Sequence, residues 1–222
     1  MSCRSIAFGA FIALGAAGLA GSAAAQQQPP QFPDMTFFVS SKPGPDGANL
    51  GGLDGADKHC QTLAGVAGAG AKTWKAYLST QGAGAVNARD RIGKGPWQNA
   101  KGIVIATSID DLHGDPKLSL DTSLTERGTK LAGAGYNNNV HDILTGSDAQ
   151  GRALPADKDM TCGNWTKGGT DGAAMVGHED RLGLNDSPPM KSWNSSHPSR
   201  GCSMATLAMT GSGGLVYCFA AN

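Results

Sequence analysis

Apolar residues recur at regular spacing only over short stretches of this chain, and long polar, glycine-bearing connections separate them. Residues 35–40 (MTFFVS) are aromatic and β-branched and predict a first strand. A KPGPDG turn follows at 42–47. Leu53, Ala56, Cys60, Leu63, Ala64 and Ala67 then fall on one helical face, with Cys60 pointing to the core and glycines closing the helix at 65–70. Asp54 or Asp57 would suit the positive end of that helix. Alternation of Trp74, Ala76 and Leu78 predicts a half-buried strand over 72–80, and IVIA at 103–106 a short buried one. Residues 109–112 read as one helical turn. Beyond them regular pattern thins, with turn chemistry at 136–139 and short strands at 143–145, 161–166, 173–178 and 192–196. LVYCFA at 215–220 predicts a strong closing strand. The sum is an α+β domain with one main early helix, short strands and long irregular loops, and loops of that length usually carry function.

Composition adds the compartment. Residues 1–25 read as a secretory signal: Arg4, an apolar run over 6–20, then Ser-Ala-Ala-Ala before Gln26. The run is shorter than the roughly 20 residues a membrane span needs. Residues 26–34, polar and proline-bearing, are expected to be a disordered leader, and 35–222 a single domain with no membrane span. Cys3 leaves with the signal, so Cys60, Cys162, Cys202 and Cys218 remain, and export to an oxidising space makes disulfides their expected state. Four cysteines allow three pairings. Eighteen basic and 18 acidic residues, with no basic block, exclude the positive footprint that nucleic acid requires. The expected location is secreted or periplasmic.

The order of features is strand, helix with Cys60, Trp-containing strand, long irregular region, Cys162, Cys202, and a terminal strand with Tyr217-Cys218-Phe219. This order resembles the C-type lectin-like fold, nearest to its endostatin-like branch and to secreted bacterial proteins called lectins. Segments 49–64 (NLGGLDGADKHCQTLA), 74–80, 87–93 and 215–219 carry the likeness. The resemblance implies the pairs Cys60–Cys218 and Cys162–Cys202. It also implies a ligand surface in the long-loop region, but this chain departs from the calcium-dependent sugar-binding pattern. Trp193-Asn194-Ser195 stands where that pattern has Trp-Asn-Asp, and the loop at 185–189 lacks the Glu-Pro-Asn or Gln-Pro-Asp triplet. Calcium takes six to eight oxygens, and only Asp180, Asn185, Asp186 and Asn194 offer themselves. No resident cofactor is expected, with calcium the one ion to weigh. The endostatin zinc site uses a histidine-rich N-terminus, and residues 26–33 hold no histidine.

Three polar clusters remain: His141-Asp142, His178-Glu179-Asp180-Arg181, and Trp193-Asn194 with His197 and Arg200. A ring beside fixed donors and acceptors suits a polyhydroxylated ligand. Trp193, Asn194, His178, Asp180, His197 and Arg200 are therefore expected to line one concavity near the inner disulfide, with His141 and Asp142 as further candidates. Such side chains also satisfy the backbone of long loops, and Arg89, Asp90, Arg91, Trp74 and Trp165 read as structural in that sense. The three late histidines with Asp180 offer zinc donors too, without a His-x-x-x-His spacing. No nucleophile elbow, phosphate loop or His-Glu-x-x-His is present. The expectation is an exported, non-enzymatic module that binds a glycan or, alternatively, a cell-surface protein in adhesion or display.

Overall fold

The computed structural model describes Met1 and residues 29–221; the proposed signal lies outside them. Eight strands and four short or medium helices form a mixed α+β domain among these residues. β8 (Ser212–Ala220) is its spine. Antiparallel β1 (Phe37–Val39) runs along one edge of β8, and the other edge is shared by antiparallel β2 (Trp74–Ala76) and parallel β5 (Asp142–Leu144). The sheet continues from β5 through β6 (Met175–His178) to the two-residue edge strand β7 (His197–Pro198). β3 (Trp97–Gln98) and β4 (Val104–Ala106) make a separate ribbon.

Side chains alternate across a strand, and both faces of β8 are buried. Val216, Cys218 and Ala220 join a core with Phe38, Trp74, Leu144 and Trp165, beneath α1 (Gly52–Val66). Leu215, Tyr217 and Phe219 join a second core with Phe37, Tyr77, Trp97, Ile143 and Trp193. α1 buries Ala56, Cys60, Leu63 and Ala64, the face that the apolar spacing predicts. Cys60 then meets β8, and the bonds Cys60–Cys218 and Cys162–Cys202 are both present.

Asp54 occupies the first turn of α1, while Asp57 has different work. It accepts from Lys75 Nζ at 2.8 Å, Arg91 Nη2 at 2.6 Å and the Ala76 amide at 3.0 Å, tying the helix to β2 and to a 3-10 turn at Ala88–Asp90. Arg91 is thus structural, as expected.

Four expectations change. The predicted strand at 161–166 is instead α3 (Cys162–Trp165), a single turn in which all four residues have positive φ. Left-handed backbone is unfavourable for residues with a Cβ, so this turn is held from outside. The inner disulfide fixes Cys162, and Asp159 accepts from the Thr161 and Gly163 amides. Trp165 donates its indole N–H to Ser79 O at 2.8 Å. Residues 192–196 form no strand; the pairing falls on β7 just beyond them. The strand over 72–80 shortens to β2. Finally, the leader is docked from Gln31 onward, since the Phe32 amide bonds Ala67 O at 2.7 Å and Phe32 packs against the α1 core. The short helices α2 (Ile109–Gly114) and α4 (Met204–Ala208) are each capped by a serine, Ser108 and Ser203. α4 has no counterpart in the apolar pattern, because only Leu207 of its residues is buried.

Candidate functional site

Sheet register assembles the densest polar cluster in the described residues. Asp142 lies directly opposite His178 in the β5–β6 ladder, and His197 lies opposite Val176, two residues from His178 on the same face. His141 precedes β5, where the register against β8 shifts, and its ring stacks on that of His178 with centroids 4.3 Å apart. The side chains of His141, Asp142 and His178 are at most 7 % exposed, and that of His197 is 26 % exposed, so the cluster reaches solvent at His197.

One glycine makes this register feasible. A Cβ on Gly177 would sit 1.9 Å from Trp193 O. Its absence lets the 192–196 segment lie on β6, where His178 N–H donates to Ser192 O at 2.9 Å and Ser196 N–H to Val176 O at 2.7 Å.

Each imidazole is oriented by its Nδ1. His141 Nδ1 faces Asp180 Oδ1 at 3.0 Å, His178 Nδ1 faces Met190 O at 2.8 Å, and His197 Nδ1 faces Pro198 O at 3.2 Å. A carbonyl or carboxylate oxygen only accepts, so each Nδ1 carries a hydrogen, and in the neutral form of the ring its Nε2 presents a lone pair. The three Nε2 atoms converge on Asp142. His141 and His178 are each 3.3 Å from Oδ1, and His197 is 3.6 Å from Oδ2. Neither oxygen of Asp142 has a hydrogen-bond partner. The Thr210 hydroxyl is near enough to favour the carboxylate but donates to Leu207 O at 3.2 Å.

Burial pushes the Asp142 carboxyl up, against the pull of His197, His141 and His178. Burial, then the neighbouring His141 charge, hold the His178 imidazole below its usual value. Burial also opposes ionisation of Asp180. Hydrogen bonds from His141 and from the Ala134 and Leu182 amides outweigh it, and Asp180 falls below the ordinary carboxylate range. Glu179 behind them is pushed up to about 8 by burial and by Asp180, and neither of its oxygens has a partner. Among the described residues, His141, Asp142 and His178 bring ligand atoms close enough together to hold a metal ion, with His197 beside them.

Of the remaining predicted site residues, Trp193 and Asn194 line a cleft between α2 and the 186–195 loop, from its buried side. Asn194 is buried; its amide donates to Tyr77 Oη at 2.9 Å and to Asp148 O at 3.1 Å. Trp193, 4 % exposed, packs on Tyr77, Tyr217 and His113 and offers no open face for stacking. Arg200 is exposed on the segment after β7. The four calcium candidates do not converge. Asp180 serves His141 and two amides, Asn185 accepts from Ser187 N, Asp186 pairs with Lys191, and Asn194 bonds Tyr77.

The cleft between α2 and the 186–195 loop, of about 610 Å³, is a second feature. Arg181, Asp186, Lys191, Ser195 and His113 contribute polar groups to its wall, beside Pro116, Pro188 and Pro189. Sequence reasoning passed over Arg181, Lys191 and His113 as ligand contacts. Arg181 is fixed by bonds to Asp115 Oδ1 and Pro116 O, both 3.0 Å long. His113 accepts or donates at Tyr77 Oη, 2.7 Å away.

Ser196 Oγ stands 3.5 Å from His178 Nδ1, while Asp142 faces the other nitrogen. That arrangement looks like a serine–histidine–carboxylate relay, but the nitrogen turned to the serine already carries its hydrogen toward Met190 O. It therefore has no lone pair with which to take the serine's proton.

No protein-family model matches this chain, and no curated protein matches it significantly. Among the described residues no helix is long and apolar enough to cross a membrane.

Proposed function

We propose that the protein is an exported, C-type lectin-like binding module, without catalytic activity, that takes a glycan in the cleft beside α2. The cleft is the observation that carries this reading. Its volume falls within the range of small-molecule sites, and it is walled by loops rather than by ladders. Guanidinium, ammonium, carboxylate, imidazole and hydroxyl groups all face it, which gives a polyhydroxylated ligand both donors and acceptors. Recognition here rests on hydrogen bonding, because Trp193 presents no free ring face. Two disulfides fit the oxidising compartment that the reading requires, and the lectin-type cysteine pairing supports the scaffold.

A glycan array with the oxidised protein tests it, followed by titration of any hit. Asp186 and Lys191 pair on the exposed rim, so Asp186→Ala with Lys191→Ala is expected to weaken binding at least tenfold without loss of fold. No saturable glycan binding at millimolar concentration, or unchanged affinity in the double variant, refutes the reading. Retention of a cell-surface protein in place of any glycan would also refute it, in favour of an adhesion module.

A further inference from the structure

We infer that His141, His178 and Asp142 form a three-ligand site for a divalent transition-metal ion, with zinc the ion of choice and His197 at its outer edge. This inference stands apart from the glycan reading, since none of the four residues lines the cleft.

Lone pairs decide what this cluster can hold. His141 Nε2 and His178 Nε2 each lie 3.3 Å from Asp142 Oδ1, and His197 Nε2 stands at the edge, 3.1 Å from His178 Nε2 and 3.6 Å from Asp142 Oδ2. All three rings spend their Nδ1 hydrogens on oxygens outside the group. While the rings are neutral, no hydrogen is left to lie between them or between any of them and Asp142. Acceptors that crowd a buried carboxylate in this way are repulsive unless a cation sits among them.

The spacing fits that cation. Zinc bonds of roughly 2.0–2.1 Å in a tetrahedron place neighbouring donors roughly 3.3 Å apart. Asp142 Oδ1 lies at that distance from both His141 Nε2 and His178 Nε2, 3.3 Å in each case. The donor types point the same way, because imidazole suits zinc, copper and nickel, whereas calcium calls for more oxygens. The surroundings match as well. Metal-bound imidazoles commonly donate their other N–H to a carboxylate or a backbone carbonyl, as His141 does to Asp180 and His178 to Met190 O.

Three protein ligands leave a fourth position open, on the side of His197. The ion would tie β5 to β6 where Asp142 and His178 lie opposite each other. The partly exposed His197 marks the way in.

The test uses the full oxidised protein, stripped with EDTA, dialysed, and titrated with zinc chloride by calorimetry, with bound metal counted by elemental analysis. One equivalent per chain is expected, and cobalt in its place should give the strong visible band of a tetrahedral complex. At a hundredfold excess over Kd, zinc should raise the unfolding midpoint by roughly 5–10 °C. His141→Gln and the isosteric Asp142→Asn should each weaken zinc binding at least tenfold, with far-ultraviolet dichroism reporting an unchanged fold. His59→Gln, outside the cluster, should bind as the unaltered protein does. Uptake below one-tenth of an equivalent at micromolar zinc overturns the inference and makes protons the cations of this cluster. Equal affinity in both ligand variants overturns it too.

Discussion

Asp57 gives the sharpest test of how the fold is tied together. Replacing it with alanine removes the acceptor of three donors at once. The Lys75 ammonium is 37 % exposed, so its pair contributes about 0–1 kcal/mol after screening by water. The bond from the Ala76 amide adds about 1 kcal/mol. Arg91 dominates. Its side chain is 9 % exposed and its Nη1 already lacks a partner, so loss of Asp57 strands a buried charge. Breaking one side of such a pair costs about 3–5 kcal/mol. The sum, about 4–7 kcal/mol, corresponds to a midpoint lower by about 8–28 °C in a chain of this length. Urea unfolding followed by circular dichroism at neutral pH measures it. The double variant Asp57→Ala with Arg91→Met should recover at least about 2 kcal/mol of the loss, because methionine leaves no buried charge behind. A loss under about 1 kcal/mol for Asp57→Ala, or strictly additive effects of the two substitutions, refutes the reasoning.

Three further outcomes are expected. Gly177→Ala brings a Cβ against Trp193 O and should cost about 1–3 kcal/mol or more; its urea midpoint should fall, and a stability equal to the unaltered chain would show that the 192–196 segment does not lie on β6. Removal of Cys162–Cys202, which closes 40 residues, should cost about 4 kcal/mol, and removal of Cys60–Cys218, which closes 158, about 5 kcal/mol; paired Cys→Ser variants compared in urea check the order. Burial holds the His113 imidazole below its usual value, so the folded protein resists its protonation. A depressed pKa contributes stability above the unfolded value near 6.5 that is lost as pH falls through the folded one. His113→Gln should therefore lose less stability between pH 7 and pH 5 than the unaltered chain, and an identical loss would refute this.

What could be read from residue order alone was whatever depends on local spacing. α1 follows from six apolar positions on one face, and β8 from an unbroken apolar run that turns out to be buried on both sides. The turn at Cys162–Trp165 could not be read, because Thr-Cys-Gly-Asn-Trp-Thr has strand-like composition and its left-handed backbone is imposed by Cys202, Asp159 and Ser79. The histidine cluster was legible only as a set of polar residue types. His141, Asp142, His178, Asp180 and His197 do meet, but strand register, invisible in any short motif, joins them. Asp142, not Asp180, faces the three Nε2 atoms; the sequence offers no sign of which carboxylate turns inward. Trp193 and Asn194 do line the cleft, as expected, but as its buried wall: the core takes most of the ring and Tyr77 takes the amide.

The spine of the sheet follows in sequence every strand that pairs with it, which bears on biogenesis. Until residues 212–220 leave the ribosome, β1, β2 and β5 have no common partner, since each pairs with residues between Ser212 and Ala220. Cys60 meanwhile waits 158 residues for its mate, with Cys162 and Cys202 emerging first as wrong partners. Domain assembly is thus postponed until β8 has emerged, and a thiol–disulfide isomerase, not the order of emergence, would decide which sulfurs end up joined.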